Sequence, residues 1–236
     1  MRDHRGAAQT AKETKGDIKM AIRVLLADDH EIFRDGLRTL IEKEAGMEVV
    51  AEAENGRKTI KLAEKLAPDV IIMDITMPDL NGIEATRRII TEKPNVKVIA
   101  LSMHSDRRFV LGMLEAGAAG YLLKDCAFGE LASAIRQVTA GNSYLSPKIA
   151  DVVIKEFLSK SSQSTAAGGS KLTSREREIL QLLAEGLATR EIAAHINLSI
   201  KTIETHRRNI MEKLNMRSVA DLTKYAVREG LVALND

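Results

Sequence analysis

The stretch DVIIMDITMPDLNG (residues 69–82) contains a short apolar run that ends in a single carboxylate, Asp74, followed by a turn rich in Pro, Asp, Asn and Gly. A short apolar run bounded by turn-forming residues is typical of a buried strand. Helical periodicity begins again at Gly82. The stretch therefore predicts a strand, a loop and a helix, with Asp74 at the carboxyl end of the strand.

The same alternation of apolar run and helical segment occurs five times between Ile22 and about Ser143. The predicted strands are IRVLLA (22–27), EVVAEA (48–53), DVIIMD (69–74), VKVIALS (96–102) and AGYLLK (119–124). The predicted helices span residues 31–44, 56–66, 82–92, 106–116 and 127–140. Near-continuous apolar strands joined by helices indicate an α/β fold, a doubly wound five-stranded parallel sheet with helices on both faces.

The rest of the chain has other patterns, which divide it into four parts. We expect residues 1–21 to be a disordered N-terminal extension and 22–143 to be the α/β domain. Residues 144–170 are expected to be a linker, a short amphipathic helix followed by SSQSTAAGGS (161–170), which cannot bury enough surface to fold. Residues 171–236 contain four helical segments and no strand pattern, and Thr173 with Glu176 forms a predicted capping box. They predict a small all-helical domain.

Composition excludes several classes of protein. The one cysteine, Cys126, excludes internal disulfides, and no Cys/His spacing resembles a zinc site. Aromatic residues make up only 3% of the chain and Trp is absent, which argues against binding single strands by base stacking. No apolar run approaches the roughly 18 residues that a membrane span needs. We expect a cytoplasmic protein with no membrane partner.

Charge differs between the two predicted domains although the whole chain has a net charge of only +2. Residues 22–145 carry 16 Lys and Arg against 19 Asp and Glu, whereas residues 171–236 carry 11 against 9. The near-neutral total thus hides an acidic first domain and a mildly basic second one.

Polar side chains follow four of the predicted strands. Asp28 and Asp29 follow the first, Asp74 ends the third, Ser102 ends the fourth and Lys124 ends the fifth. Ligands of doubly wound sheets bind at the carboxyl edge of the strands, so these side chains should converge. A single Asp there is equally well explained as a turn or helix cap, but the joint pattern is not.

The converging groups have a shared chemistry. Three carboxylates repel one another without a cation, and their oxygens suit a hard ion such as Mg2+. Asp74 could attack a phosphorus atom as nucleophile, while Lys124 paired with the phosphoryl oxygens and Ser102 hydrogen-bonded the product. The residues thus indicate a magnesium-assisted phosphoryl transfer site.

Residues 22–143 resemble the receiver domain of bacterial two-component response regulators. The matching segments are ADDH (27–30), MDITMPDLNG (73–82), LSMH (101–104) and GAAGYLLKD (117–125). The resemblance implies a flavodoxin-like fold with Asp74 as phosphoacceptor and with Lys124 and Ser102 as the groups that sense the phosphoryl. It implies Mg2+ bound by Asp28, Asp29, Asp74 and the Thr76 carbonyl, and Tyr121 as the aromatic switch. From the residues alone, Tyr121 is a core residue with its hydroxyl near the surface.

In the second domain, the segment LTSREREILQLLAEGLATREIAAHINLSIKTIETHRRNIMEKLNMRS (172–218) predicts three consecutive helices. The second and third, about 189–196 and 200–214, are joined by the short turn INLS. A helix pair of this kind can place its second helix in a major groove. On that helix Ile203, Ile210 and Leu214 share the inward face. Its modest excess of basic residues describes a solvated helix face equally well.

This domain resembles the LuxR-type helix-turn-helix of the NarL/FixJ class over nearly all of residues 172–232. The segments LTSRERE, EIA and KTIETHRRNIMEKL carry the likeness. The resemblance implies base contacts by Glu204, Thr205 and Arg208, and it implies contacts to the DNA backbone by Lys201, Thr202, His206 and Lys213. The family commonly has lysine where this chain has Glu204, and a carboxylate there can accept a hydrogen bond from cytosine but repels phosphates.

Together the two resemblances imply a regulator of transcription rather than an enzyme. Its implied partners are a sensor histidine kinase, double-stranded DNA, a second copy of the chain once phosphorylated, and RNA polymerase. One alternative is a phosphatase similar to the haloacid dehalogenases, but those have an Asp two residues after the nucleophile, where this chain has Thr76. The other is a phosphorylation-independent regulator whose first domain only dimerises, which the intact set of Asp28, Asp29, Asp74 and Lys124 disfavours.

Overall fold

A computed structural model describes residues 21–126, 128–162 and 172–232. The strands of its α/β domain are β1 Ile22–Ala27, β2 Met47–Ala53, β3 Val70–Met73, β4 Lys97–Ser102, β5 Gly120–Leu123 and β6 Tyr144–Leu145. The helices of this domain are α1 Glu31–Ile41, α2 Gly56–Leu66, α3 Gly82–Glu92, α4 Arg107–Glu115, α5 Phe128–Thr139 and α6 Pro147–Ser162. The predicted extension up to residue 20 and the predicted flexible segment from residue 163 to residue 170 lie outside the described residues.

The strands form one parallel sheet in the order β2-β1-β3-β4-β5-β6. The predicted parallel α/β sheet is confirmed, but the predicted number of five strands is wrong, because β6 adds a sixth. It pairs Tyr144 with Gly120 and Leu145 with Tyr121. Two residues are too few to produce a recognisable strand pattern. Just beyond β6, Ile149 of α6 is fully buried in the core, so this start of the expected linker packs with the α/β domain.

The sheet has a separate apolar core on each face. Along β1, Val24 and Leu26 contribute to the core shared with α1 and α5, whereas Leu25 and Ala27 contribute to the core shared with α2, α3, α4 and α6. Because both faces are covered, all four consecutive positions from Val24 to Ala27 are apolar rather than every second one. Since β1 lies beside β3, the order of the strands changes direction at this pair, and the residues that follow the two strands meet there.

The C-terminal domain contains α7 Ser174–Ala184, α8 Thr189–His195, α9 Ile200–Leu214 and α10 Val219–Arg228 around one apolar core. The predicted capping box opens α7: the backbone N–H of Glu176 donates to Thr173 Oγ1, and that of Thr173 donates to the Glu176 carboxylate. Gly186, at a φ of +93° that favours glycine, follows the end of this helix. Among the helices of the described ranges, none combines the length and the apolar character needed to cross a bilayer.

Candidate functional site

Three charged side chains meet at the carboxyl edge of the sheet. Asp28, Asp74 and Lys124 follow β1, β3 and β5, and each side chain is nearly inaccessible to solvent. Lys124 Nζ lies 2.6 Å from Asp28 Oδ2 and 3.1 Å from Asp74 Oδ2. The sheet thus brings together residues that are far apart in the chain, as the strand-end pattern predicted.

Burial and the neighbouring charges shift the pKa values of Asp74 and Lys124 in opposite directions. Burial raises the pKa of Asp74, an effect that the nearby Lys124 ammonium only partly offsets. Burial also lowers the pKa of Lys124, but Asp74 and Asp28 outweigh it, so that the pKa of Lys124 is raised overall. Lys124 therefore remains an ammonium and supplies positive charge beside two carboxylates.

The donor set suits a hard divalent cation. Ligand atoms of Asp28, Asp29, His30 and Asp74 lie within 4.8 Å of one another. Apart from its ion pair with Lys124, the buried Oδ2 of Asp74 has no hydrogen-bond partner among the described residues. Asp29 is the more accessible carboxylate, and it lines a small cavity together with Thr76. Three carboxylates around one point, one of which has a buried oxygen whose contact is the Lys124 ammonium, fit Mg2+.

Ser102 and Tyr121 lie on the neighbouring strands β4 and β5, and both are fully buried. The backbone N–H of His104 donates to Ser102 Oγ at 3.1 Å. The Tyr121 hydroxyl donates to the His104 carbonyl at 2.6 Å. Both side chains therefore contact the backbone after β4, so a change at one can be transmitted to the other through that loop.

Two residues of the site were not identified from the sequence. The His30 ring lies with Nδ1 3.1 Å from Asp28 Oδ1 and 3.0 Å from Asp29 Oδ1. The Phe33 ring lies beneath Lys124, with the ammonium 4.7 Å from the ring centroid. The one sequence signal for His30 was its position directly after the acidic pair. Phe33 belongs to α1, and the fold brings it next to Lys124.

Helix α9 places the residues expected to contact DNA on its outer side. Ile203 and Ile210 are buried against the domain core, and Leu214 is half-buried, as its inward position predicted. The exposed members of the predicted set are Lys201, Glu204, Thr205, Arg208 and Lys213. Arg208 forms a distant ion pair with Glu212, at 4.0 Å, and both side chains are well exposed. The outer face is accessible in the described arrangement.

Two of the predicted DNA contacts have other partners in the described structure, and a third is half-buried. Thr202 Oγ1 shares a hydrogen bond of 2.7 Å with Ser199 Oγ, the side chain that caps α9. His206 is half-buried, and its Nδ1 has no hydrogen-bond partner among the described residues. Lys213 binds Glu176 of α7. Thr202 and Lys213 therefore also belong to the internal structure of the domain.

Comparison with known families divides the chain in the same way as the fold. Residues 24–136 match the model of the response regulator receiver domain, and residues 170–226 match that of the bacterial regulatory proteins of the luxR family. The transcriptional regulatory protein LiaR of Bacillus subtilis is 41% identical over 211 residues, which cover 89% of this chain and 99% of that protein. DegU of Brevibacillus brevis is 38% identical over 224 residues, with 89% and 95% covered.

Solved structures show the same likeness. The RcsB response regulator of Salmonella typhimurium matches with a TM-score of 0.59 at 29% identity, covering 89% of this chain and 98% of that one. A structure of RcsB in complex with DNA matches with a TM-score of 0.54 at 29% identity, covering 87% and 97%. The similarity thus extends over both domains.

Proposed function

Because this chain belongs to the NarL/FixJ family of two-component response regulators, with a receiver domain and a LuxR-type DNA-binding domain, we propose that phosphorylation of Asp74 by a sensor histidine kinase controls its dimerisation and its sequence-specific binding to DNA. The observation that carries this proposal is the buried contact of Lys124 with Asp28 and Asp74. Buried charged groups with shifted pKa values that converge at a sheet edge are candidates for a functional site.

The transfer itself needs one nucleophile. A carboxylate oxygen of Asp74 forms a bond to phosphorus while the bond from phosphorus to the donor breaks, and the electron pair of that bond leaves with the donor. The donor is the phosphohistidine of a kinase or a small acyl phosphate. The buried position of Asp74 shields the resulting acyl phosphate from bulk water.

The surrounding residues of the receiver have separate roles. Asp28, Asp29, Asp74 and the Thr76 carbonyl would hold Mg2+, which neutralises negative charge on the phosphoryl oxygens when it is bound. Lys124 exchanges part of its contact with Asp74 for a phosphoryl oxygen, and the Ser102 hydroxyl turns from His104 to donate to another. Tyr121 and Ser102 are both hydrogen-bonded to the backbone of His104, so we propose that the Tyr121 side chain moves when the Ser102 hydroxyl turns.

In the DNA-binding domain, α9 is the helix proposed to enter the major groove. Its exposed face carries Thr205 and Arg208, and α8 packs beside it as the first helix of the motif. A dimer would present two such helices about one helical turn of DNA apart, so the target should contain two short half-sites. RNA polymerase stays a predicted partner.

The proposal is tested by treating the full chain with acetyl phosphate and Mg2+ and by following the phosphorylated fraction on phosphate-affinity gels. Asp74→Asn should abolish labelling. Asp35→Asn is the matched control, since Asp35 is an exposed carboxylate of α1 paired with Arg38. Labelling that persists undiminished in Asp74→Asn would contradict the assignment.

The regulatory half of the proposal is tested by sequencing the genomic fragments that the chain binds before and after phosphorylation. We expect phosphorylation to enrich a set of fragments that share paired half-sites, and to shift the chain to a dimer in light scattering. Identical fragment sets and an unchanged mass would argue for a regulator that does not depend on phosphorylation.

A further inference from the structure

His30 stands at the position where helix α1 begins, but its side chain does not cap the helix. Ser, Thr, Asp and Asn are preferred at such positions because their side-chain oxygens accept a hydrogen bond from the first turn. The His30 ring instead lies against the acidic pair, with Nδ1 3.1 Å from Asp28 Oδ1 and 3.0 Å from Asp29 Oδ1. The side chain is therefore used at the carboxylate cluster and not at the helix end.

The two oxygens of Asp28 have different neighbours. Oδ2 contacts the Lys124 ammonium at 2.6 Å, whereas Oδ1 faces the His30 ring and accepts the backbone N–H of His30 at 2.9 Å. That backbone hydrogen bond fixes the start of α1 beside the carboxylate. The His30 side chain is 66% exposed, so an ion can reach its nitrogen from solvent. One nitrogen and two carboxylate oxygens thus form an accessible group that does not include Lys124.

The spacing of these three atoms matches that of ligands on one metal ion. Zinc binds histidine nitrogen and carboxylate oxygen at roughly 2.0 to 2.2 Å, so neighbouring ligand atoms lie about 3.0 to 3.4 Å apart in octahedral or tetrahedral geometry. The same distances also suit a hydrogen bond donated by Nδ1, and an ion can replace that hydrogen when the ring carries it on Nε2 instead. A ligand atom of Asp74 lies within 4.8 Å of the others and can complete the group.

A nitrogen ligand changes which ions the cluster prefers. Carboxylate and carbonyl oxygens suit Mg2+, whereas imidazole suits Zn2+ and several other transition ions of the first row. Mg2+ gains little from exchanging a bound water for imidazole, because it is a hard ion that prefers oxygen. A cluster that offers both kinds of ligand should therefore discriminate in favour of the transition ion.

We infer that His30 makes the acidic cluster a binding site for a divalent transition ion of the Zn2+ class, held by His30 Nδ1 together with the carboxylates of Asp28 and Asp29. This inference rests on the cation site of the proposed function and adds a ligand and a second class of ion to it. Because the same carboxylates serve both ions, Zn2+ and Mg2+ compete for the cluster. Phosphorylation that depends on Mg2+ is then sensitive to the concentration of the transition ion.

A purely electrostatic role of His30 gives the opposite expectation. If the ring only supplied positive charge to the two carboxylates, a neutral replacement would strengthen the binding of every divalent cation, because a competing charge is removed. If the ring is a ligand, the replacement weakens the binding of Zn2+ and leaves that of Mg2+ unchanged. The ratio of the two affinities therefore separates the two roles.

The first test measures that ratio by calorimetric titration of the full chain with Zn2+ and with Mg2+ at one fixed pH. Loss of groups that merely support a metal ligand lowers affinity about 10- to 100-fold, so His30→Gln should lower the affinity for Zn2+ at least about tenfold. Its affinity for Mg2+ should equal that of the parent chain. His195→Gln is the matched control, since His195 belongs to α8 of the DNA-binding domain.

An affinity for Zn2+ that is unchanged or raised in His30→Gln would overturn the inference, as would equal losses for both ions. Asp29→Asn separates this failure from that of the proposed function. If it weakens the binding of Mg2+ whatever His30→Gln does, the proposed cation site stands without the histidine. If the parent chain binds Zn2+ through His30 but does not bind Mg2+, the proposed magnesium site fails instead.

A second test requires no variant with altered binding. The full chain is labelled with 15N-histidine, and the ring nitrogen resonances are followed by NMR during the addition of each ion, with His30→Gln used only to assign the His30 signals. Zn2+ bound to Nδ1 should shift the Nδ1 resonance of His30, whereas saturating Mg2+ should leave it in place. A resonance that responds to both ions alike, or to neither, contradicts ligation by His30.

Discussion

Both carboxylate oxygens of Glu176 accept hydrogen bonds from the ammonium of Lys213, at 2.8 and 2.7 Å. Glu176 also closes the capping box at the start of α7, and its side chain is almost completely buried. The hydrogen bonds to Lys213 and Thr173 outweigh burial and lower the pKa of Glu176. The last turn of α9 is therefore tied to the first turn of α7.

Because of this contact, we expect Lys213→Ala to destabilise the DNA-binding domain. The half-exposed ion pair and its two hydrogen bonds should contribute about 1 kcal/mol to the free energy of unfolding. Urea denaturation followed by circular dichroism measures it. Lys224→Ala, at an exposed position of α10, serves as the control. If both variants unfold at the same urea concentration, the contact with Glu176 contributes no stability.

Arg208 and Lys201 should differ in how they contribute to DNA binding. The planar guanidinium of Arg208 can donate two hydrogen bonds to a guanine, so Arg208→Ala should cost about 1 to 3 kcal/mol at the target site and relax the preference at one base pair. Lys201, at the exposed start of α9, is placed to bind a phosphate. Lys201→Ala should weaken binding to all duplexes alike. It should also make the slope of log binding constant against log salt concentration, the salt slope, shallower by about one unit.

Binding isotherms on the selected site and on random DNA, at several salt concentrations, separate the two roles. An Arg208→Ala variant that loses equal affinity for both DNAs would show that Arg208 contacts phosphate. The interpretation of Lys201 fails if its replacement leaves the salt slope unchanged.

Replacing Asp74 by Asn should stabilise the receiver at neutral pH. The pKa of Asp74 is raised by burial, so the folded state holds the Asp74 proton more tightly than the unfolded state does. Ionised Asp74 therefore costs stability once the pH exceeds its ordinary pKa of 3.8, and this cost is absent below it. Asp74→Asn removes the cost without changing the size of the side chain.

The expected result is a higher melting temperature for Asp74→Asn than for the parent chain at pH 7, with a difference that shrinks as the pH is lowered. Thermal melts in a series of buffers measure it, with Asp35→Asn as the surface control. A melting temperature at pH 7 that is unchanged or lower in Asp74→Asn would refute the prediction.

Mg2+ should stabilise the folded receiver through Asp29 in particular. A ligand that binds only the folded state adds about 2.7 kcal/mol at 100 times its Kd. Asp29 is the accessible carboxylate of the cluster, so Asp29→Asn should reduce this stabilisation while Asp35→Asn retains it. Melting temperatures measured against Mg2+ concentration provide the comparison. Equal shifts in the parent chain and in Asp29→Asn would exclude Asp29 as a ligand.

Much of the receiver could be predicted because its signals are local. The apolar runs of β1 and β3 are continuous because both faces of each strand are covered, and Asp28 and Asp74 directly follow them. A residue that directly follows a parallel strand lies at the carboxyl edge of the sheet, whatever its neighbours in space are. The convergence of Asp28, Asp74 and Lys124 could therefore be predicted without knowledge of any contact between them.

The short strand β6 and the position of α6 could not be predicted in the same way. Tyr144 and Leu145 have no alternation to recognise, and their pairing with β5 depends on a strand more than twenty residues earlier. The amphipathic pattern of α6 predicted a helix. It did not predict that the helix would pack against α4.

Sequence by itself determined the two domains, the acidic cluster and the inward face of α9, because each depends on residue spacing within one element or at one strand end. In the sequence, Glu178 and Gln181 look like ordinary polar residues of a helix. Only the tertiary structure shows that they contact the receiver. Their partners, Arg57, Arg88 and the backbone of the β3–α3 loop, lie about 90 to 120 residues away in the chain. Nothing in the spacing of either segment encodes that pairing, because it depends on how two separately folded surfaces meet.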